Sequence, residues 1–360
     1  MADSRDIAYA ELIVECLRIE PGWQVWVGGN LAAVPLLERV SGLVGARGAY
    51  AIPRLSLEGT VTGSPAWLQS APSELVAAPA PLIEHELSTV DALLFVQAPE
   101  NTREASAVDP DRLSAVRAAY RPASHRLTNH DIPWMLCQYP TPALAQDAGM
   151  ATGAFADLLF DAVLQDWDAI GEQMRRHADR FDAADEVRIV GDGTDLRLSL
   201  AGRRMRADAK GCNLPGGEFF GCPVEDSAEG VITFGEFPAV YGGREMTGVR
   251  LRFEGGRVVE ASADVNEGFL LETLDGDDGA RRLGELGIGC NPGITRYMRN
   301  TLFDEKMGGT IHLALGQSYT DLGGTNASAI HWDIVKDLRS PGSRIELDGE
   351  VVQRDGVWLI

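Results

Sequence analysis

Lysine is almost missing from this chain: Lys210, Lys306 and Lys336 stand among 32 basic side chains. Arginine therefore carries nearly all the positive charge, and 53 acidic residues outweigh it to give a net charge of −21. A chain of that sign has no basic patch with which to displace phosphate counterions, so nucleic acid is excluded as a partner. Cysteine is sparse too. Cys16, Cys137, Cys212, Cys222 and Cys290 make an odd set with no C-x-x-C pair, which argues against a disulfide framework or zinc knuckle and for a reducing compartment. No apolar run reaches the roughly 18 residues of a membrane span. The opening MADSRDIAYAELIVECL is too broken by charge for a signal peptide. The expectation is a cytoplasmic protein with neither membrane nor nucleic-acid partners. Gly28-Gly29-Asn30 follows an apolar run but forms no G-x-G-x-x-G fingerprint, and no G-x-S-x-G elbow occurs. Serine and cysteine nucleophiles are thereby set aside.

What is present reads as two domains, since 360 residues is long for a single core. With 45 % hydrophobic and 24 % charged residues, the composition is that of an ordinary globular protein. Apolar spacing over residues 5–19 predicts an amphipathic helix, stopped by Pro21-Gly22. Residues 23–27, 49–55, 92–96 and 133–138 read as strands, with Asn30 as the cap of a helix bearing Leu36, Leu37 and Val40. Strands alternating with helices predict an α/β N-terminal domain with a mostly parallel sheet over residues 1–148. Residues 151–181 are predicted helical. From residue 184 the texture changes. Residues 187–190 and 196–200 alternate apolar with polar around a Gly191-Asp192-Gly193 turn, and residues 231–234, 249–253 and 257–263 continue the pattern. A helix is predicted at 277–285. Residues 149–360 are thus expected to form a β-rich α+β domain.

That second part holds the candidate chemistry. His331-Trp332-Asp333 sets an imidazole and a carboxylate two residues apart, on one face of a strand. Glu218 ends a Pro215-Gly216-Gly217 turn, Glu285 adjoins a glycine-rich run, and His312 sits in the apolar stretch Thr310–Gly316. Glu305 precedes His312 and Tyr319 follows it, each by seven residues. Singly, each has a plain structural reading. Glu218 and Glu305 can be loop charges, the latter paired with Lys306. Glu285 can be a salt-bridge partner of Arg281 or Arg282, His312 a core imidazole and Tyr319 a packed ring. Together, four carboxylates and two imidazoles exceed what one four-coordinate ion needs, and they predict two divalent ions sharing ligands. Zinc, cobalt and manganese all accept such a set. His85, His125, His130 and His177 lack an accompanying carboxylate pattern and read as structural or surface residues.

The runs WMLCQYPTP (134–142), NLPGGE (213–218), RLRFEGGRVVE (250–260), GARRLGE (279–285), HLALG (312–316) and NASAIHWD (326–333) resemble, in the same order, the metallopeptidases of family M29, the aminopeptidase T, aminopeptidase S and PepS type. The resemblance implies an α/β N-terminal domain, a β-rich metal-binding C-terminal domain, a homodimer, and removal of the first residue from peptides with a free N-terminus. It puts metal ligands at Glu218, Glu285, Glu305, His312, His331 and Asp333, and an active-site tyrosine at Tyr319. On that picture Glu285 bridges two ions, Tyr319 supports the developing oxyanion, and Glu218 or Glu305 carries a proton to the leaving amine. A more distant resemblance is to the dihydroxypyridine-cleaving dioxygenases, which hold one iron through two histidines and an aspartate. In that branch a histidine stands where this chain has Glu285, so Glu285 together with His312 favours hydrolysis. A non-catalytic small-molecule binding protein is the remaining alternative.

Overall fold

The computed structural model describes residues 4–57, 63–128 and 130–359. The chain divides into two compact units, Met1–Leu164 with Lys210–Pro215, and Gln165–Ala209 with Gly216–Ile360. The first unit therefore includes the helix Thr152–Val163, which the division at residue 148 assigned to the second half. Chain order hides the other difference, because the short strand Asn213–Leu214 pairs with Trp134–Gln138 and so returns to the first unit.

In that unit the strands lie in the order Tyr50–Ser56, Gln24–Asn30, Ala92–Gln97, Trp134–Gln138 and Asn213–Leu214, every pair parallel. Gln24–Asn30 and Ala92–Gln97 are the continuous apolar runs expected of strands covered on both faces. Val25, Val27 and Leu94 are wholly buried on one face, where helices Arg5–Cys16 and Val34–Ala46 bring Tyr9, Ile13, Leu36 and Val40. Trp26 and Leu93, one residue out of phase, pack against Leu87, Val116 and Tyr120 of the helices Pro81–Thr89 and Pro110–Tyr120. The strand that was to end before Gly28 runs on through both glycines to Asn30. Asn30 does not cap the following helix. Its Oδ1 accepts the Ala98 N–H at 2.8 Å, tying two strand ends together.

Among the described residues the second unit holds two main antiparallel sheets and a two-stranded ribbon, Ala239–Tyr241 with Arg244–Met246. The larger runs Arg257–Ser262, Val249–Glu254, Glu229–Phe234, Thr194–Ser199, Glu186–Gly191, Arg344–Leu347, Glu350–Arg354 and Val357–Trp358. Its first two strands in the chain form the expected hairpin, closed by Asp192-Gly193. The smaller sheet has the order His331–Asp337, Thr310–Gly316, Leu283–Gly289, Glu218–Gly221 and Arg206–Asp208. Ile189, Leu196, Ile232 and Leu251 of the larger sheet share one core with Leu286, Ile288, Leu313 and Ile334 of the smaller, and the helix Trp167–Asp182 adds Met174 and Phe181. No helix forms at 277–285. The helix lies upstream at Glu267–Leu274, and residues 283–285 already belong to a strand. Asp277 instead accepts N–H groups from Gly279, Ala280 and Ala329 and orders a turn. Among the described residues no helix is long and apolar enough to cross a membrane.

Phe219 is the pivot between helix and smaller sheet: fully buried, edge-on to Phe181 at 5.2 Å and 6.0 Å from the Trp358 ring. Phe219→Ala is expected to cost about 3–5 kcal/mol, read as a lowered urea midpoint. A loss below about 1 kcal/mol would mean the ring does not anchor this core.

Candidate metal centre

Register brings the predicted residues together. In the smaller sheet Glu218 pairs with Gly289, Phe220 and His312 both pair with Gly287, and Glu285 and Asp333 both pair with Ala314. His331 pairs with Gly316. Side chains alternate along a strand, so Glu218, Glu285, His312, His331 and Asp333 all rise from one face. Phe219, Leu286, Ile288, Ile311, Leu313 and Trp332 point from the other into the shared core. The ligand face is kept low between its charged members by glycine and alanine. A Cβ at Gly287 would fall 1.9 Å from His312 Nε2, so this imidazole lies where a side chain at 287 would be.

Glu285 reaches this face through a bulge. Leu283 pairs with Leu315 but Glu285 with Ala314, so one extra residue sits on the Leu283–Gly289 strand. Gly284 fills it; a Cβ there would lie 2.3 Å from the Gln317 carbonyl oxygen. Plain alternation through 283–285 would put Glu285 on the core side with Leu283; the bulge lets the two face opposite ways. The anticipated salt bridge to Arg281 or Arg282 does not form, because Arg281 pairs with Asp275 and Arg282 donates to the Glu225 carbonyl.

The donors converge tightly. One ligand atom each from Glu285, His312 and Asp333 lies within 4.8 Å of the others. His312 Nε2 is 3.3 Å from Glu285 Oε1 and 3.5 Å from Glu218 Oε2. His331 Nε2 is 3.1 Å from Glu285 Oε2 and 3.7 Å from Asp333 Oδ1. Both imidazoles are aimed by backbone: His312 Nδ1 lies 3.0 Å from the Glu305 carbonyl oxygen and His331 Nδ1 lies 2.7 Å from that of Gln317. With Nδ1 as the donor, each Nε2 is free to bind an ion, the arrangement in which metal-binding histidines are held. Asp333 Oδ1 is buried with no hydrogen-bond partner among the described residues. An acceptor in that position is costly unless a cation takes it. The set fits a divalent metal.

Lys306 enters the sequence reading only as the alternative partner of Glu305, a pairing the structure contains; its burial and its contact with Glu218 are the unexpected part. It is 1 % exposed; its Nζ lies 3.1 Å from Glu218 Oε1 and contacts Glu305 Oε1. The available signal was its rarity: a lysine kept at 306 in a chain that otherwise uses arginine. Tyr319, 36 % exposed, stands edge-on to His331 at 5.4 Å and against Phe220 at 5.3 Å. Its backbone is pinned to Cys222 by Tyr319 N–H to Sγ at 3.3 Å and Sγ–H to the Tyr319 carbonyl at 3.5 Å.

Charge state follows from this packing. Burial opposes ionisation of Glu285, yet hydrogen bonds from His312 and His331 prevail and hold its pKa down to about 2. The same contacts overcome the burial penalty on the imidazoles and lift His312 to about 10 and His331 to about 9. Burial pushes Glu218 up to about 7 despite the nearby Lys306, and it also raises Glu305 and Asp333. Burial, then the Glu285 and Asp333 carboxylates, push the Tyr319 phenol well above its usual range, so the hydroxyl keeps its proton.

The profile of the thermophilic metalloproteases, M29, matches residues 3–358. Aminopeptidase 2 of Geobacillus stearothermophilus is 28 % identical, covering 97 % of this chain and 96 % of its own. Aminopeptidase T of Thermus aquaticus is 29 % identical over 67 % of this chain and 69 % of its own. Among solved structures, wild-type AmpT from Thermus thermophilus superposes with a TM-score of 0.85 at 25 % identity over 99 % of both chains. The dihydroxypyridine dioxygenase of Pseudomonas putida gives 0.63 at 14 % identity, covering 100 % of this chain and 98 % of its own, a likeness of fold alone. A profile match spanning nearly the whole length, over a sheet face that gathers carboxylates and imidazoles, makes this chain a member of the M29 metallopeptidase family.

Proposed function

We propose that this protein is a cytoplasmic aminopeptidase that uses zinc, cobalt or manganese to remove the first residue from peptides with a free N-terminus. The observation that carries this is the convergence of Glu285, His312, His331 and Asp333 on one buried patch of the sheet. Relatives matched in sequence along most of their length are named aminopeptidases, and five cysteines outside any disulfide agree with a reducing setting.

A bound divalent ion polarises the scissile carbonyl and lowers the pKa of water toward neutrality. The chain's own groups supply the rest. Glu285, His312, His331 and Asp333 would hold the ion, with the Glu305 and Gln317 carbonyls fixing the two rings. Glu218, its pKa raised into the neutral range, exchanges a proton between water and the leaving amine. Tyr319, held protonated at the mouth of the site, donates to the oxygen on which negative charge develops. Surplus carboxylate charge favours a substrate's α-amino end over a blocked one. A two-ion form of this reading would need Glu218 and Glu305 as further ligands beside Glu285, and both carboxylates also contact Lys306.

The primary test is turnover of leucine and arginine chromogenic amides by chelator-stripped protein, before and after return of each metal. Activity should appear only with metal and vanish when the amine is acetylated. Oxygen uptake on a dihydroxypyridine, with no peptide cleavage, would overturn the assignment. Tyr319→Phe should lower kcat about 100-fold with KM little changed; an unaltered kcat would remove the tyrosine from the chemistry.

Stability should respond to pH in a defined direction. The raised values of His312 and His331 mean that the folded, metal-free protein keeps protons that unfolded histidine releases near pH 6.5. Their contribution is full below that pH and is lost as pH climbs through about 9 and 10. The melting temperature of chelator-treated protein should therefore fall from pH 7 to pH 10. A level profile over that range would mean that Glu285 does not grip the two rings.

A further inference from the structure

We infer that the Lys306 ammonium occupies the place of a second metal ion, so that the centre takes one divalent cation per chain. The inference rests on the metallopeptidase reading for the identity of the ligands, but not on any substrate. Six side chains suffice for two ions only if Glu218 and Glu305 serve as ligands. Glu218 Oε1 lies 3.1 Å from Lys306 Nζ, and Glu305 Oε1 contacts the same nitrogen. Metal–oxygen bonds are about 2.0–2.2 Å long. An ion on those two oxygens would press against a like-charged ammonium that cannot escape, since Lys306 is 1 % exposed.

The backbone holds the lysine in this position. Asn291 N–H donates to the Lys306 carbonyl at 2.8 Å, and Asn291 Nδ2 donates to the Gly216 carbonyl at 2.9 Å, next to the Glu218 strand. Segment 306–307 also lies directly over Gly289, the register partner of Glu218. A Cβ at Gly289 would fall 2.1 Å from the Met307 carbonyl oxygen and 2.9 Å from the Lys306 carbonyl carbon. The lysine is thereby delivered at the level of Glu218. What remains for a metal is the other half of the cluster: Glu285, His312, Asp333 and His331, with Glu218 Oε2 at its border.

The test is metal stoichiometry on the full-length protein, stripped with chelator and dialysed against zinc or manganese. The wild type should hold one ion per chain. Lys306→Met, which leaves two buried carboxylates without a cation, should hold two, the second bound at least about tenfold more tightly than any second ion in the wild type. Two equally tight ions in the wild type, or one in a folded Lys306→Met, would overturn the assignment. If that variant does not fold, paramagnetic resonance of manganese-loaded wild type decides: an isolated-ion spectrum supports the single site and an exchange-coupled pair refutes it. Single-ion protein with no peptide turnover would strike down the functional reading and leave this one intact. A coupled pair with full turnover would do the reverse.

Discussion

One buried carboxylate organises the second half of this molecule. Glu285 is 4 % exposed, and each of its oxygens meets a different imidazole. A carboxylate taken out of water is costly unless charge and hydrogen bonds replace the lost solvent, and His312 and His331 do so. The two rings are fixed in turn by main-chain carbonyls, and those carbonyls by a sheet whose reverse face is packed into the core. The spacing of the donors is thus set by strand register rather than by loops, which suits a site that must keep its geometry.

The cluster has two chemically distinct halves. Around Glu285 lie two imidazoles and Asp333, whose Oδ1 has no partner among the described residues. Around Lys306 lie Glu218 and Glu305, each giving its Oε1 to the ammonium. Counting ligand-type residues treats these halves alike, whereas the positions of individual oxygen atoms separate them. In a chain with three lysines, one spent at 1 % exposure between two carboxylates is part of the site's charge balance rather than of its surface.

Much of this was readable from the residues, and the misses share a cause. His331-x-Asp333 predicts a common face by strand alternation alone, and the face exists. The parallel sheet announced itself as continuous apolar runs such as Ala92–Gln97. Glu285 was misassigned to the end of a helix because the glycine-rich run around it has no clean alternation. The extra residue at Gly284 breaks the period of two just where it was needed. Adjacency accounts for Glu305 as one partner of Lys306 but says nothing about Glu218, 88 positions earlier, which ends up beside it, Glu218 being 306 − 88. Asn30 reads as a helix cap from local sequence because its competing acceptor role, toward Ala98, spans the sheet.

The bulge at Gly284 has a bearing on how such proteins can diverge. It lets Leu283 and Glu285 occupy opposite sides of the pleat. A change of side chain at 284 crowds the Gln317 carbonyl, whereas losing Gly284 would only restore plain alternation, with Glu285 still opposite Ala314 and beside the histidines. Drift by substitution can retune this centre step by step. One residue added or lost between Glu285 and Gly289 is another matter: it reverses the parity within the strand and would leave an apolar residue facing the imidazoles.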